Sequence, residues 1–459
     1  MMAPSFLPNS SAAPTPSLIA VCQMSCGADL EANWKVAEGF IRRAAGRKCK
    51  MIFFPECFDF VGENLRNRKY LALEESDEFI TRFREAAKAH KMWMSLGGFH
   101  RKDPKALMIP WKTHLVIDDE GMTQARYDKL HHFNRENLID EEYEDLVLER
   151  EGSQLVCTMV PPVSTPIGNV GLSISYDLRF PELSLWNRKR GAHILTFPSG
   201  FSMTTGQAHW ETLLRARAID TQCYVVAAAQ TGTHNPKKTS YGHTMVVDPW
   251  GTVIAHCSKG PSMCFAEIDL AFVEKTRTEN PILFQRRDDL YALHVNEWHP
   301  IDQSELTFGS TVIPQNQIFA RTAHAFAFVN SEPLLEGHVL VAPIRAEKNM
   351  SLLTDEEIAD VFCLAKRVQR MLHSKHQVDS STICVNDGPQ VGQLIAHTHA
   401  HVLPRRTGGD GDCTNAVYNE LTSNDRIDDI QRTEDDMASE AATYREAMET
   451  AKSDHCTIL

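Results

Sequence analysis

No run in this chain is long and apolar enough to span a bilayer as a helix. Cysteine is present without pattern. Its 12 residues are scattered, with no CxxC pair and no dense framework, which excludes a disulfide scaffold and fits buried thiols in a reducing compartment. Basic residues are in deficit, 47 Lys and Arg against 60 Asp and Glu, for a formal net charge of -13. That balance argues against nucleic acid and anionic membranes as partners, while leaving room for a small anionic substrate held by local basic groups. Residues 1–17 lack Lys and Arg altogether and are rich in Ser, Pro and Ala, which describes a disordered leader rather than a secretory or mitochondrial signal. The expected location is the cytoplasm, with a mitochondrial fraction as the second assignment.

What is there reads as soluble and globular, with 42% apolar and 23% charged residues. A length of 459 residues exceeds one ordinary core, so two domains are expected. The pattern places them at 18–296 and 306–451, joined by a polar linker over 297–305 and followed by a tail, 452–459. The tail ends Cys456-Thr457-Ile458-Leu459, a Leu-ending prenylation box. No polybasic segment precedes it, so no stable membrane anchor is expected.

The first domain alternates strand-like and helix-like runs. Ile19–Met24, Met51–Phe54, Met92–Leu96, Thr113–Ile117, Val170–Ser175, His193–Phe197, Cys223–Ala229 and His243–Val247 read as strands. Helical runs separate several of them, beginning with Asp29–Gly46. This is a large α/β pattern, in which functional groups collect at strand ends. Three such positions stand out: Glu56 after Phe54-Pro55, Lys129 before Leu130-His131, and Ser175 before Tyr176-Asp177-Leu178-Arg179-Phe180-Pro181-Glu182. Singly, Glu56 reads more readily as a helix cap and Lys129 as a solvated charge. Together with Ala216-Arg217-Ala218 they resemble the nitrilase superfamily over about Ile19 to Leu293. The resemblance implies a four-layer αββα sandwich in which Glu56 is the general base and Lys129 stabilises the oxyanion. The family's nucleophile is a cysteine that forms a thioester with an amide or nitrile carbon. Here that position holds Ser175. An alcohol is far harder to deprotonate than a thiol, and a site shaped for sulfur misplaces the shorter oxygen. An impaired or silent amidase is therefore expected. Relatives also carry a second carboxylate near the site; Glu149, beyond the acidic stretch Glu136–Asp145, is the candidate for it.

The second domain changes pattern, to alternating strands at Phe326–Val329 and His338–Pro343 and one amphipathic helix. Thr354 and Glu357 form its capping box, and Ile358, Val361, Phe362, Leu364, Ala365, Val368 and Leu372 are read as its apolar face. Strands Thr382–Val385 and Gly392–Pro404 complete a small antiparallel α+β sheet. The last contains His397-Thr398-His399-Ala400-His401, three histidines at alternate positions, which an extended strand would place on one wall. Three readings compete: an exposed His-rich strand, a metal site, and an imidazole nucleophile supported by its neighbours. A metal needs ligands converging on one point, whereas positions on one strand fan outward. A neutral imidazole can attack phosphorus and later leave it, so the third reading is favoured.

With Asn330, Gly337-His338-Val339-Leu340-Val341, Asp387-Gly388-Pro389 and Gly392-Gln393, this domain resembles the fragile-histidine-triad branch of the histidine-triad family, over about Phe308 to Ala451. The resemblance implies cleavage of dinucleoside polyphosphates, diadenosine triphosphate above all, to AMP and a second nucleotide. His399 would carry AMP covalently. His397 and His338 would orient it, and His401 would donate to a phosphate oxygen. Asn330 would contact ribose and Phe308 adenine, with Asn386, Gly392, Gln393, Leu394 and Ile395 lining the phosphate path. Asn386 and Leu394 stand where relatives carry Gln and Thr, and Tyr418 matches a loop tyrosine. The protein would supply no metal ligands, a divalent cation arriving only with the nucleotide.

The two resemblances in this order match a family of fused nitrilase and fragile-histidine-triad domains, which implies a homotetramer built through the nitrilase domains. The expected function is a dinucleoside triphosphate hydrolase with an attached amidase domain acting on small amides. The alternative is a signalling protein whose output is the nucleotide-bound state, with the nitrilase domain as scaffold.

Overall fold

A computed structural model describes residues 15–62, 72–102, 110–131, 159–287, 290–291, 293, 305–405 and 432–451. Glu149, Tyr418, Cys456 and the acidic stretch Glu136–Asp145 lie outside them. The chain divides into two compact units, the first holding the described residues up to 287 and the second those from 290 onward.

The first unit begins with β1 (Ser17–Met24), whose side chains alternate between two buried environments. Ala20, Cys22 and Met24 join a cluster with Ala37, Phe40, Ile41 and Phe83. These come from α1 (Leu30–Gly46) and α2 (Glu78–His90), which cover the outer face. Asp29 starts α1 as read, its side chain accepting from the N–H groups of Glu31 and Ala32. Beside β1 lie β2 (Met51–Phe54), β3 (Trp93–Arg101), β4 (Trp111–Ile117) and β5 (Thr123–Asp128), parallel as far as β3 and antiparallel beyond it.

The second sheet comprises β6 (Val163–Thr165), β7 (Gly168–Gly171), β8 (Ile194–Thr196) and β9 (Tyr224–Ala227). Helices α3 (Pro181–Lys189) and α4 (Met203–Thr221) pack on it, burying Trp210, Leu214 and Ala218 against Val225 and Ala227. The chain then returns to the first sheet through β10 (Ala229–Asn235) and β11 (Lys238–Tyr241), with β10 alongside β1. It crosses back for β12 (Met245–Val247) and β13 (Val253–His256), and β14 (Ser262–Ile268) closes against β1 before α5 (Leu270–Glu279). Gln23, on the inner face of β1, accepts from Thr244 N–H at 2.9 Å just before β12, tying the two sheets together. This is the helix–sheet–sheet–helix sandwich that the first resemblance implied.

Two strand readings need correction. Cys223–Ala229 is not one strand; β9 ends at Ala227 and Ala229 opens β10 in the other sheet, so one apolar run serves both layers. Val170–Ser175 pairs only as far as Gly171, and Ser175 opens a short 3-10 turn at φ +49.

The second unit is smaller and antiparallel. A hairpin of β15 (Leu306–Phe308) and β16 (Thr311–Ile313) stands apart from a sheet ordered β17 (Ile318–Arg321), β18 (Ala325–Val329), β19 (Val339–Pro343), β21 (Ala400–Arg405), β20 (Ser380–Val385). Helix α6 (Asp355–His376) and α7 (Glu434–Ala451) cover one face. The α6 capping box is present: Thr354 accepts from Glu357 N–H, and Glu357 accepts from Thr354 N–H. Phe362 departs from its expected place. It is 41% exposed, because it lies a residue beyond Val361, about 100° round the helix. Asp360 faces inward instead and accepts from Thr322 Oγ1 and His324 N–H, each at 2.7 Å.

Gly97 marks the tightest approach in the first unit. A Cβ there would lie 2.1 Å from the Phe54 carbonyl oxygen and 2.2 Å from Pro198 Cβ. Gly97→Ala therefore forces backbone apart, and should lower that unit's stability by about 3 kcal/mol, read as an earlier midpoint in urea unfolding.

Candidate active sites

Strand β2 ends where the chain turns at Pro55, and this delivers Glu56 into the space between the sheets. Lys129, just past β5, donates to Glu56 Oε1 at 2.8 Å, and both side chains are buried. Burial alone would raise the Glu56 carboxyl, but the Lys129 and Lys112 ammonium groups outweigh it and hold it down at about 2. Burial likewise works against the Lys129 charge, and the Glu56 and Asp177 carboxylates reverse it, leaving Lys129 raised. The two therefore form an ion pair at neutral pH.

Ser175 reaches the same region by backbone contacts. Its N–H donates to the Pro198 carbonyl at 2.9 Å, and Pro198 is the group that packs on Gly97. The Ile174 side chain and Glu56 Cγ each stand 3.5 Å from where a Gly98 Cβ would be. Asp177 locks the turn: its carboxylate accepts from Ile174 N–H at 2.8 Å, from Tyr127 OH at 2.7 Å and from His131 N–H at 3.0 Å. A non-glycine residue at positive φ is costly, and such strain is found where a side chain must be presented to a site. Lys112, whose charge acts on Glu56, is a member that sequence reasoning missed, because nothing local separates it from a solvated strand lysine.

The histidine site differs from a simple strand wall. Pairing in β21 begins at Ala400, so His401 alone of the three lies in the ladder. His397 sits in a turn, its N–H bonded to the Ile395 carbonyl. The His397 ring is committed on both sides, Nδ1 accepting from Gly309 N–H at 3.1 Å and Nε2 donating to the Pro343 carbonyl at 2.8 Å. Its orienting contact with His399 comes from its backbone: His399 Nδ1 donates to the His397 carbonyl at 2.8 Å. A ring with its proton on Nδ1 carries its lone pair on Nε2.

A second chain of bonds sets the proton on His401. His338 Nδ1 accepts from Leu334 N–H at 3.2 Å, with Asn330 Nδ2 at 3.3 Å. The proton of His338 is then on Nε2, which lies 3.0 Å from His401 Nδ1. His401 must accept there, so its own proton sits on Nε2. One ring thus offers a lone pair and its neighbour, 4.7 Å away between centroids, offers an N–H. Burial, with the His399 charge, pushes His338 down to about 3. Burial, with His399 and His338, pushes His401 to about 2. Burial also lowers His397.

The remaining candidates are distributed unevenly. Phe308 packs edge-on against His399 at 4.9 Å. Gly392 has φ +90, which its turn requires. Gln393 is committed to its own loop, accepting from Gly388 N–H and donating to the Lys348 carbonyl. Leu394 is 57% exposed, Ile395 half-buried, and Asn386 follows the end of β20. Arg432, just before α7, donates to the Asn330 carbonyl at 3.2 Å and pairs with Glu440 at 2.6 Å. That link joins α7 to the histidine chain and had no local signal. Among the described residues no group of three or more His, Cys, Asp or Glu side chains is arranged to hold a metal ion. No described helix is long and apolar enough to cross a membrane.

The carbon-nitrogen hydrolase family model matches residues 18–278, and the HIT domain model matches residues 311–408. The nitrilase and fragile histidine triad fusion protein of Caenorhabditis elegans is 52% identical over 433 residues, covering 94% of this chain and 96% of that protein. This chain belongs to the nitrilase and fragile histidine triad fusion family. The crystal structure of the C. elegans fusion protein superposes with a TM-score of 0.81 at 50% identity, over 95% of this chain and all of that one. The nitrilase part of the fusion is also similar to deaminated glutathione amidase of Bos taurus, 43% identical over 62% of this chain and 85% of that protein. The two domains support a hydrolase.

The neutral histidines fix a pH response. Their folded pKa values lie below the ordinary histidine value of about 6.5, so the unfolded chain binds more protons below that pH. Stability of the second unit should be fully present above about pH 6.5 and be lost as pH falls toward 3. Melting temperature followed across that window should fall steadily, and His338→Asn should flatten the slope.

Proposed function

We propose that the second domain cleaves dinucleoside polyphosphates, diadenosine triphosphate above all, to AMP and a second nucleotide through a phosphoramidate on His399. The observation that carries this is the pair of opposed tautomers. His399 Nε2 has the lone pair needed to attack the α-phosphorus, and His401 Nε2–H supplies a donor beside it. In the first step the N–P bond forms, the bond from phosphorus to the bridging oxygen breaks, and ADP leaves. Water then attacks the same phosphorus, the P–N bond breaks, and AMP is released with His399 restored. Burial holds the surrounding His338, His397 and His401 rings below the ordinary histidine range, so these partners are neutral donors and acceptors near pH 7. A divalent cation enters this scheme only with the nucleotide's phosphates.

The first domain is read as a carbon-nitrogen hydrolase whose Glu56–Lys129 machinery is complete and whose nucleophile is weakened. Small amides, ω-amides of the deaminated-glutathione kind among them, are its substrate class. Assembly as a homotetramer through this domain completes the proposal.

Three measurements test these readings. With His399→Asn, diadenosine triphosphate should still bind while hydrolysis falls by at least about 10³-fold. Acid-free quenching of the unmodified protein during turnover, followed by mass spectrometry, should find AMP on the His399 peptide; its absence while ADP is formed rejects the covalent route. Ser175→Cys should raise turnover of small ω-amides by at least about 100-fold, and an unchanged rate means that Ser175 is not the nucleophile position.

A further inference from the structure

The loop between β18 and β19, residues 330–338, carries the groups that set the His401 proton: Asn330, the Leu334 N–H and His338. A polar line that the phosphoryl-transfer reading does not use meets this loop at both of its ends. At one end Arg432 donates to the Asn330 carbonyl at 3.2 Å and pairs with Glu440 Oε2 at 2.6 Å. The other oxygen of Glu440 accepts from Tyr444 OH at 2.7 Å. With that proton committed, the Tyr444 oxygen accepts from His376 Nε2, 3.2 Å away. The same His376 nitrogen would lie 2.7 Å from a Cβ at Gly337, the residue directly before His338. The line Arg432–Glu440–Tyr444–His376 therefore brackets the loop that orients His338.

Three observations tie this line to the chemistry of the site. The Arg432 and Glu440 side chains are only 21% and 18% exposed, so water screens their attraction weakly and the guanidinium is held on one carbonyl. The two contacts that decide the His338 tautomer, from Leu334 N–H at 3.2 Å and Asn330 Nδ2 at 3.3 Å, stand at the long end of the range for such bonds. A small displacement of the loop is enough to break them. The proton they set ends on His401 Nε2, which is buried and has no hydrogen-bond partner among the described residues. A buried donor left open in this way is one that an incoming phosphate oxygen satisfies.

We propose that Arg432 is a positioning residue for phosphoryl transfer, a role that rests on the reading of His399 as the nucleophile toward dinucleoside polyphosphates. It holds the Asn330 carbonyl, and with it the loop, so that His338 keeps its proton on Nε2 and His401 presents Nε2–H to the substrate. Glu440 holds Arg432 in place, and Tyr444 and His376 seat the other end of the loop. Without Arg432 the Asn330 carbonyl loses a donor and Leu334 N–H withdraws from His338 Nδ1. The His338 proton then moves to Nδ1, and His401 reverses to donate from Nδ1 to His338 Nε2. A lone pair on His401 Nε2 then faces the phosphate oxygen, where the transition state needs a donor.

Steady-state hydrolysis of diadenosine triphosphate by the full chain tests this role. Arg432→Met should lower kcat at least about tenfold while changing KM less than about threefold. Arg432 Nη1 alone serves both the Asn330 carbonyl and Glu440, so Arg432→Lys should recover most of the rate. The deciding comparison is with His338→Asn, whose amide reaches Leu334 N–H but not His401. On that background Arg432→Met should cost less than about a further twofold, because the relay it serves is already cut. Equal losses on the two backgrounds, the result of a residue that only holds the fold together, overturn the proposal, as does a kcat untouched by Arg432→Met. Should the unmodified chain leave diadenosine triphosphate intact, the nucleotide reading falls by itself, and magnetic resonance of the full chain with isotope-labelled histidine decides the positioning role. His401 should carry its proton on Nε2 in the unmodified chain and on Nδ1 in Arg432→Met; a proton that stays in place overturns it.

Discussion

His399 Nδ1 lies 2.8 Å from the carbonyl of His397, two residues back along its own chain. Because the acceptor is backbone, the bond cannot rotate away as a side-chain partner could, and the ring proton has one place to be. The same logic runs from Leu334 N–H through His338 to His401, where a backbone donor fixes one ring and that ring fixes the next. Neutral imidazoles are ambiguous by nature, with two tautomers close in energy. Here main-chain groups remove the ambiguity at both ends. The sheet exists, from this viewpoint, to hold β19 and β21 side by side so that His338 and His401 meet across the ladder, as the pairing of Leu340 with His401 requires.

The first unit solves the opposite problem. Its reactive groups are charged rather than neutral, and burying them works against their ionisation. The Glu56–Lys129 contact at 2.8 Å offsets that penalty only because both partners are present. Removing either one strands the other charge in the interior. Ser175 opens its turn at positive φ in the same unit, its N–H held by the Pro198 carbonyl that packs on Gly97.

Much of this was legible in sequence wherever the determinant is local. Thr354 and Glu357 announce their capping box within four residues, Asp29 announces its helix, and alternation over Phe326–Val329 and Val339–Val341 announces the strands. Legibility failed where a tertiary choice decided. The run Cys223–Ala229 is apolar throughout, so nothing local says that the chain changes sheets at Ala228. His397 fits strand periodicity, yet Gly309 and Pro343, distant in sequence, pull it into a turn. Phe362 reads as core by composition, but Asp360 takes the inward position because Thr322 and His324 supply donors for it. Lys112 and Arg432 look like ordinary surface cations until the groups they reach are known. Motif residues stand out in sequence because chemistry restricts their type; their supporting partners do not, because geometry alone selects them.

β1 has three strand partners. It pairs with β2, with β10 and, along Ser17–Gln23, with β14, where Ser17 faces Ile268. During synthesis its last partner emerges only after most of the domain has left the ribosome. Until then a strand of buried apolar residues has an open edge, the condition under which nascent chains pair wrongly or recruit chaperones. The second unit meets the same difficulty over a shorter stretch of chain, since β19 and β20 both wait for β21. Translation thus delivers a slow-closing domain first and a faster one behind it. A pause after α5 would favour correct closure of the first before the second begins to collapse.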